Sequence, residues 1–381
     1  MKKITNISLM LAAAAMLFAC SSENDKVEPT APQPTPEDPI ETPVEPTVPA
    51  TPARHGAYVL SSGYYGENNA SIEFIDFTTG TVETDLYTRA NGERLGDSGQ
   101  DLLIYGSKIY CTVSTSSKMV IMDKNCKVIK PFAVLDNNGN PATPRYMTAH
   151  GGKVYFTAYD GTVSRLDTAT MKVDAKVSLG VSLEGITNAN GKLYVNQCDY
   201  GDGMKVAVID IATFTKVKDI YVELNPYSTI FTGNDGMVYL VSNGNYAGDP
   251  SVPEEDWVYS TLQQIDPATD QATSLCPATF AANYQNDICI IYSEYYLPEI
   301  SKCVKYNIDS QSEASLISME NFKIDGNLCA NSINIDPATG DIYVCCTPWG
   351  QFAVVKVFDK DGNHKTDYTV GYCASKVIFT E

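Results

Sequence analysis

The chain has 381 residues, with 46 acidic against 27 basic side chains and a formal net charge of −19 at pH 7. That sign disfavours nucleic acid and anionic lipid as partners, because both need a positive footprint on the protein. Nothing after the first twenty residues is apolar for long enough to span a bilayer as a helix.

The N-terminus reads as an export signal over residues 1–19: Lys2 and Lys3, an apolar stretch from Leu9, then Leu17-Phe18-Ala19 before Cys20. This ending resembles the bacterial lipobox, which implies lipidation at Cys20 and anchorage to the outer membrane. The following Ser21, Ser22, Glu23, Asn24 and Asp25 resemble the acidic surface-export tract of Bacteroidetes lipoproteins. Prolines 29, 32, 34, 36, 39, 43, 46, 49 and 52 then alternate with Thr, Glu and Ala. Such a segment builds no core and favours extended polyproline II, at roughly 3.1 Å per residue. Residues 20–53 therefore read as a lipidated N-terminus and stalk, and residues 54–381 as the folded domain.

Two phrases recur through that domain. The first pairs an apolar residue with Tyr, as in Lys108-Ile109-Tyr110, Lys153-Val154-Tyr155, Lys192-Leu193-Tyr194, Met237-Val238-Tyr239 and Asp341-Ile342-Tyr343. The second is an apolar strand ending in Asp, at Asp76, Asp123, Asp167, Asp210, Asp266, Asp309 and Asp359. An Asp side chain caps its own turn and so suits a tight hairpin. Seven occurrences, about 43 to 56 residues apart, match a four-stranded propeller blade. In one blade the strands read as 145–149, 153–158, 162–167 and 172–177. The expected fold is all-β, a seven-bladed β-propeller. Its first blade opens on a second strand, Ala57-Tyr58-Val59-Leu60, and residues 373–379 read as the missing first strand. Pairing the N- and C-terminal strands would close the ring and hide its edges. Two sandwich domains are the competing architecture.

In such a disc the tight one-to-two and three-to-four turns share one face. The long two-to-three loops and the crossings between blades share the other. The long loops read as 61–70, 197–204, 242–259, 293–301 and 346–351. They carry Tyr64, Tyr65, Tyr200, Asn243, Tyr246, Trp257, Tyr295, Tyr296 and Trp349, while the crossings add Arg94, Arg145 and Tyr227. Loops on a rigid scaffold concentrate function, and Tyr, Trp and Arg are the preferred anchors of recognition. These twelve residues are the candidate ligand-binding set.

Catalytic and metal signals are thin. Gly96-Asp97-Ser98-Gly99 is reminiscent of a serine-protease nucleophile, but a triad needs a histidine base. His55, His150 and His364 all fall on the tight-turn face in this reading. Asp359, Asp361 and Asn363 lack the rest of a calcium loop, and Asp199 with Asp202 offers two carboxylates in a long loop. No catalytic residue, metal site or catalytic cofactor is assigned, and the chain is read as a binding protein. The ten cysteines after Cys20 match no zinc spacing, and Cys111, Cys289, Cys303, Cys345 and Cys346 read as small buried hydrophobes.

The repeated phrases resemble the YncE-like propeller proteins. With the lipobox, acidic tract and stalk, the whole chain resembles Bacteroidetes surface lipoproteins of that type, including the BtuG family. That resemblance implies capture of a corrinoid such as cobalamin at the cell surface and its delivery to a TonB-dependent transporter of BtuB type. The motifs that carry it are structural and identify the scaffold, not the ligand. A propeller enzyme (hydrolase- or lactonase-like) or a protein–protein interaction module on the same scaffold is the alternative.

Overall fold

A computed structural model describes residues 54–380. Residues 1–53, which read as an export signal, the lipidation site Cys20 and a Pro-rich stalk, lie outside the described residues. Seven four-stranded antiparallel sheets stand as blades around a ring. Their inner strands are Ala374–Phe379, Gly99–Tyr105, Pro144–His150, Ile186–Ala189, Pro226–Thr232, Phe280–Tyr284 and Ala330–Ile335, for blades 1 to 7. Each is followed in its sheet by strands two, three and four in chain order.

Blade 1 closes the ring. The C-terminal Ala374–Phe379 pairs with Gly56–Ser61 in the register Ala57↔Phe379 to Ser61↔Ala374, with a bulge at Leu60/Ser61. The first and last strands of the domain thus lie side by side, as the sequence pattern implied, and blade 1 packs on blade 7 through an apolar cluster that includes Val59, Ile75, Tyr343 and Val357.

The recurring phrases have separate physical roles. The Tyr of the first phrase is the second or third residue of a second strand, and Tyr110, Tyr155, Tyr194, Tyr239 and Tyr343 are each at most 4% exposed. They fill the space between neighbouring blades, where a large flat side chain removes most area from water. Outer strands alternate instead, as in Val128–Ala133 and Lys172–Ser178, with one face turned to solvent. The turn-capping role of Asp holds at Asp76, Asp123, Asp167, Asp210, Asp266 and Asp359, each accepting backbone N–H groups of its own turn.

Blade 6 departs from the sequence reading. There Asn307 faces Asp287, the register position that Asp holds in the other blades, and its Oδ1 accepts from Ser310 N at 3.0 Å. Asp309 lies two residues further on and accepts from Asn286 Nδ2. Asn presents the same side-chain oxygen, so the turn is capped equally well.

Polar ties cross the inner ring. Asp101 of blade 2 accepts from Met147 N of blade 3 at 2.8 Å, and Lys376 Nζ of blade 1 lies 3.1 Å from its other oxygen. Asn188 donates to Thr148 Oγ1 at 2.7 Å, and Thr232 Oγ1 donates to the Asn188 carbonyl at 2.8 Å, which links blades 3, 4 and 5. The ten cysteines are unpaired, and eight of them, including Cys111, Cys289, Cys303, Cys345 and Cys346, are buried. No helix among the described residues is long and apolar enough to cross a membrane.

Candidate functional site

The two faces differ sharply in what they expose. Nine tyrosine, tryptophan and phenylalanine side chains among the described residues are exposed: Tyr65, Tyr200, Tyr221, Tyr246, Tyr259, Tyr295, Tyr296, Trp349 and Phe352. Eight stand in two-to-three loops. Tyr221 ends the outer strand Thr215–Tyr221 opposite Lys205, at the long-loop end of blade 4. The tight-turn face exposes none of these residue types. All three histidines do lie on that face: His55 before the first strand, His150 at a one-to-two turn and His364 after a three-to-four turn.

The exposed aromatics gather in groups. At the junction of blades 1 and 7, Tyr64 meets Trp349 edge-on at 5.1 Å and Tyr372 at 5.4 Å, and Tyr372 stacks on Phe352 at 4.6 Å. The Tyr64 hydroxyl accepts from Gly350 N at 2.7 Å, which fixes the two loops together. Tyr65 and Trp349 project outward at 84% and 89% exposure.

Blades 5 and 6 form a second group. The segment 293–301, expected as a loop, is a continuation of the sheet. Strands Asp287–Glu294 and Leu297–Asn307 pair up to Glu294↔Leu297, leaving Tyr295 and Tyr296 at the tip. Pairing persists because a bulge absorbs the extra residues between Tyr292 and Glu294. Tyr295 and Tyr296 meet edge-on at 4.9 Å, and Asp249 of the blade 5 loop bonds Tyr296 and holds its hydroxyl in the protonated form. Tyr246, with a left-handed backbone (φ 58°), is exposed beside them. Trp257 does otherwise: its Nε1 donates to Val252 O at 3.0 Å and its ring folds against Tyr259. Asn243 is half-buried, and its backbone bonds Asn225 O and Ser260 Oγ.

Arg145 and Tyr227, expected in crossings, stand in inner strands at their long-loop ends. Arg145 is 9% exposed and pairs with the fully buried Glu184 through two bonds of 3.0 and 2.8 Å. Its other amino group reaches Gln100 at 2.5 Å and Ser114 at 3.1 Å, and its plane covers Tyr159 at 4.3 Å. Burial works against the charged guanidinium, but the Glu184 carboxylate outweighs it and holds Arg145 protonated. The Tyr159 hydroxyl also donates to Glu184, and burial with that carboxylate nearby pushes the Tyr159 and Tyr227 phenols upward. The guanidinium is therefore committed within the protein. Above this cluster Tyr200, 77% exposed, packs on Tyr159 at 5.7 Å.

Arg94 is exposed and makes one long bond, 3.3 Å to Asn68 O. With Asn69, Thr88, Phe352 and Tyr372 it lines a cavity of about 430 Å³ between blades 1 and 7, floored by Glu73. Glu73 is 1% exposed and accepts from Ser61 Oγ at 2.7 Å and Ser71 Oγ at 2.5 Å. Burial lifts its carboxyl to about 7 against those hydroxyl bonds. A larger groove of about 590 Å³ runs along the outer strands of blade 6 by Lys302, Glu313 and Ser315. It reaches Ser301 and the crossing at Ser318 but has no buried polar side chain among its walls, so its size carries less weight than the chemistry of the smaller cavity.

The candidate catalytic and metal segments resolve into turns. Ser98 Oγ donates to Asp97 at 3.2 Å and accepts from Thr115 at 2.8 Å, with every histidine on the opposite face. Residues Asp199–Gly201 form a single 3-10 turn. No group of three or more His, Cys, Asp or Glu side chains among the described residues is placed to hold a metal ion.

Sequence reasoning missed Glu73, Glu184, Tyr159, Phe352 and Tyr372. A signal existed for two of them: Glu73 interrupts the apolar run Ser71-Ile72-Glu73-Phe74-Ile75, and Glu184 sits between Leu183 and Gly185. A carboxylate inside a buried segment needs partners.

The fold and this arrangement define a seven-bladed β-propeller with one aromatic-rich loop face. The chain belongs to the family described as a domain of unknown function, DUF5074, whose pattern it matches over residues 55–380. No curated protein matches it in sequence. Among solved structures it is similar to Kuenenia stuttgartiensis hydrazine synthase, with a TM-score of 0.54 and 14% identity over 70% of this chain and 85% of that one. It is also similar to the RRP9 WD40 repeats, at 0.53 and 8% over 71% and 80%. A third is dihydro-heme d1 dehydrogenase NirN in complex with DHE, at 0.54 and 10% over 84% and 68%. Identities this low show a shared fold and nothing more.

Proposed function

We propose that this protein is a cell-surface capture protein that binds a small molecule on its long-loop face, with a corrinoid such as cobalamin as the ligand to test first. The observation that carries the reading is the segregation of all nine exposed aromatics onto one face. A binding surface needs anchors that are already placed, and tyrosine and tryptophan held on short-range contacts lose little entropy on binding.

The choice of a corrinoid rests on the resemblance of the whole chain to the BtuG-type surface lipoproteins. A broad ring with an apolar face and an amide fringe suits an open, aromatic, amide-bearing disc better than a narrow cleft. With the histidines on the opposite face, binding proceeds without histidine ligation of cobalt. The reading is of a binding protein: Ser98 bonds Asp97 and Thr115, and every histidine lies on the opposite face.

The propeller begins on the tight-turn face, where Arg54 is held by Glu83 at 2.7 Å and Asn125 at 3.1 Å. In this reading a lipid at Cys20 anchors the chain to the outer membrane, and the captured ligand passes to a TonB-dependent transporter of BtuB type. Calorimetric titration of the mature chain with cobalamin and related corrinoids tests the ligand. Binding abolished by alanine at Tyr65, Tyr295 and Trp349 supports the reading, and absence of heat with every corrinoid removes it.

A further inference from the structure

The cavity between blades 1 and 7 is chemically unlike the open aromatic surface around it. Its volume, about 430 Å³, lies in the range of small-ligand sites. One wall is the Phe352–Tyr372 stack, with planes within 24° of each other. Thr84, Thr88, Asn68, Asn69 and Arg94 supply hydroxyl, amide and guanidinium groups around it, and the carboxyl groups of Asp85 and Glu73 complete the lining.

The floor is built tightly. Both Glu73 oxygens are held by serine hydroxyls. Gly371 closes over them so nearly that a Cβ there would lie 2.4 Å from Ser71 Oγ and 2.7 Å from Ser61 Oγ. Only glycine allows that approach. The Asp85 carboxylate offsets the single arginine and weighs against a phosphate or carboxylate ligand, while burial keeps Glu73 largely neutral below about pH 7; the arginine weighs against a bare ammonium. A neutral molecule whose hydroxyls both donate and accept matches the mixed lining, and an apolar ring face matches the aromatic wall.

We propose that this cavity is a second ligand site, for a neutral hydroxyl-rich ring of monosaccharide size, stacked on Phe352 and Tyr372 and hydrogen-bonded to Asn69, Asp85 and Arg94. The inference rests on the cavity alone and does not depend on the corrinoid reading. It implies that the face can recognise a sugar, free or at the end of a larger glycan.

Saturation-transfer NMR on the full mature chain, with glucose, galactose, mannose, fucose and N-acetylglucosamine offered singly, tests it. At least one sugar should receive saturation at its ring protons. Its affinity should fall roughly tenfold in Phe352→Ala and the signal should vanish in Thr84→Trp, which plugs the mouth from an exposed position. Val217→Ala, at an exposed position on the outer strand of blade 4, should leave the sugar signal unchanged. No transfer to any sugar overturns the proposal, as does transfer that survives Thr84→Trp. Corrinoid titration of the same Thr84→Trp protein separates the two readings, because loss of the sugar alone leaves the open-face ligand untouched.

Discussion

Arg145 and Glu184 are locked face to face across the seam between blades 3 and 4, by two hydrogen bonds of 3.0 and 2.8 Å in a site where the carboxylate is fully buried. Removing one partner leaves the other charged and buried without its counter-charge. Glu184→Ala should therefore cost about 3–5 kcal/mol of stability, measured by denaturant unfolding. A variant within 1 kcal/mol of wild type would show that the pair is not holding the seam.

Glu73 gives a stability change with pH. Burial lifts its folded-state carboxyl to about 7, above the ordinary 4.5. Across that interval the folded protein keeps a proton that the unfolded chain has released. The contribution is fully present below pH 4.5 and is lost as pH rises through 7, a change of roughly 3 kcal/mol. Thermal melting of wild type and Glu73→Gln between pH 4.5 and 8 should diverge in that direction, with the variant losing less. Parallel curves would place the carboxyl at its ordinary value.

The two tryptophans should behave oppositely. Trp257 donates to Val252 O and covers its own loop, so Trp257→Ala should destabilise by about 1–2 kcal/mol. Trp349 is 89% exposed, and Trp349→Ala should stay within about 0.5 kcal/mol while weakening ligand binding. Urea midpoints with parallel ligand titrations distinguish the two, and reversed effects would misassign both side chains.

Ring closure predicts the effect of truncation. Deleting residues 373–381 removes the inner strand of blade 1 and bares the edges of Gly56–Ser61 and its neighbours. The shortened protein should be insoluble or melt far below wild type, and an unchanged melting temperature would contradict the closure seen here.

Much of the ring was legible because each blade repeats one physical device. A tyrosine buried in the second strand and an acid capping the next turn recur at a spacing that only four short strands fill. The reading slipped in blade 6, where Ile308-Asp309 imitates the phrase but Asn307 caps the turn. It slipped again at residues 293–301, whose Pro298 and Glu299 read as a loop although Glu294 pairs with Leu297. Arg145 was visible as a candidate anchor. Its engagement was not, because Glu184 lies 39 positions away and only blade packing brings the two together. The cavity was hidden for the same reason: Glu73, Arg94 and Phe352 come from three separate segments.

That the long-loop face binds the ligand is tested most directly by one calorimetric series. Cobalamin is titrated into the mature chain, into the triple variant Tyr65→Ala, Tyr295→Ala, Trp349→Ala, and into the double variant His150→Ala, His364→Ala. The wild type and the double variant should bind alike, with no new axial nitrogen in the cobalamin spectrum. The triple variant should lose thirtyfold or more, about 2 kcal/mol or greater. Silence from the wild type, or binding lost in the histidine variant and kept in the aromatic one, would contradict it.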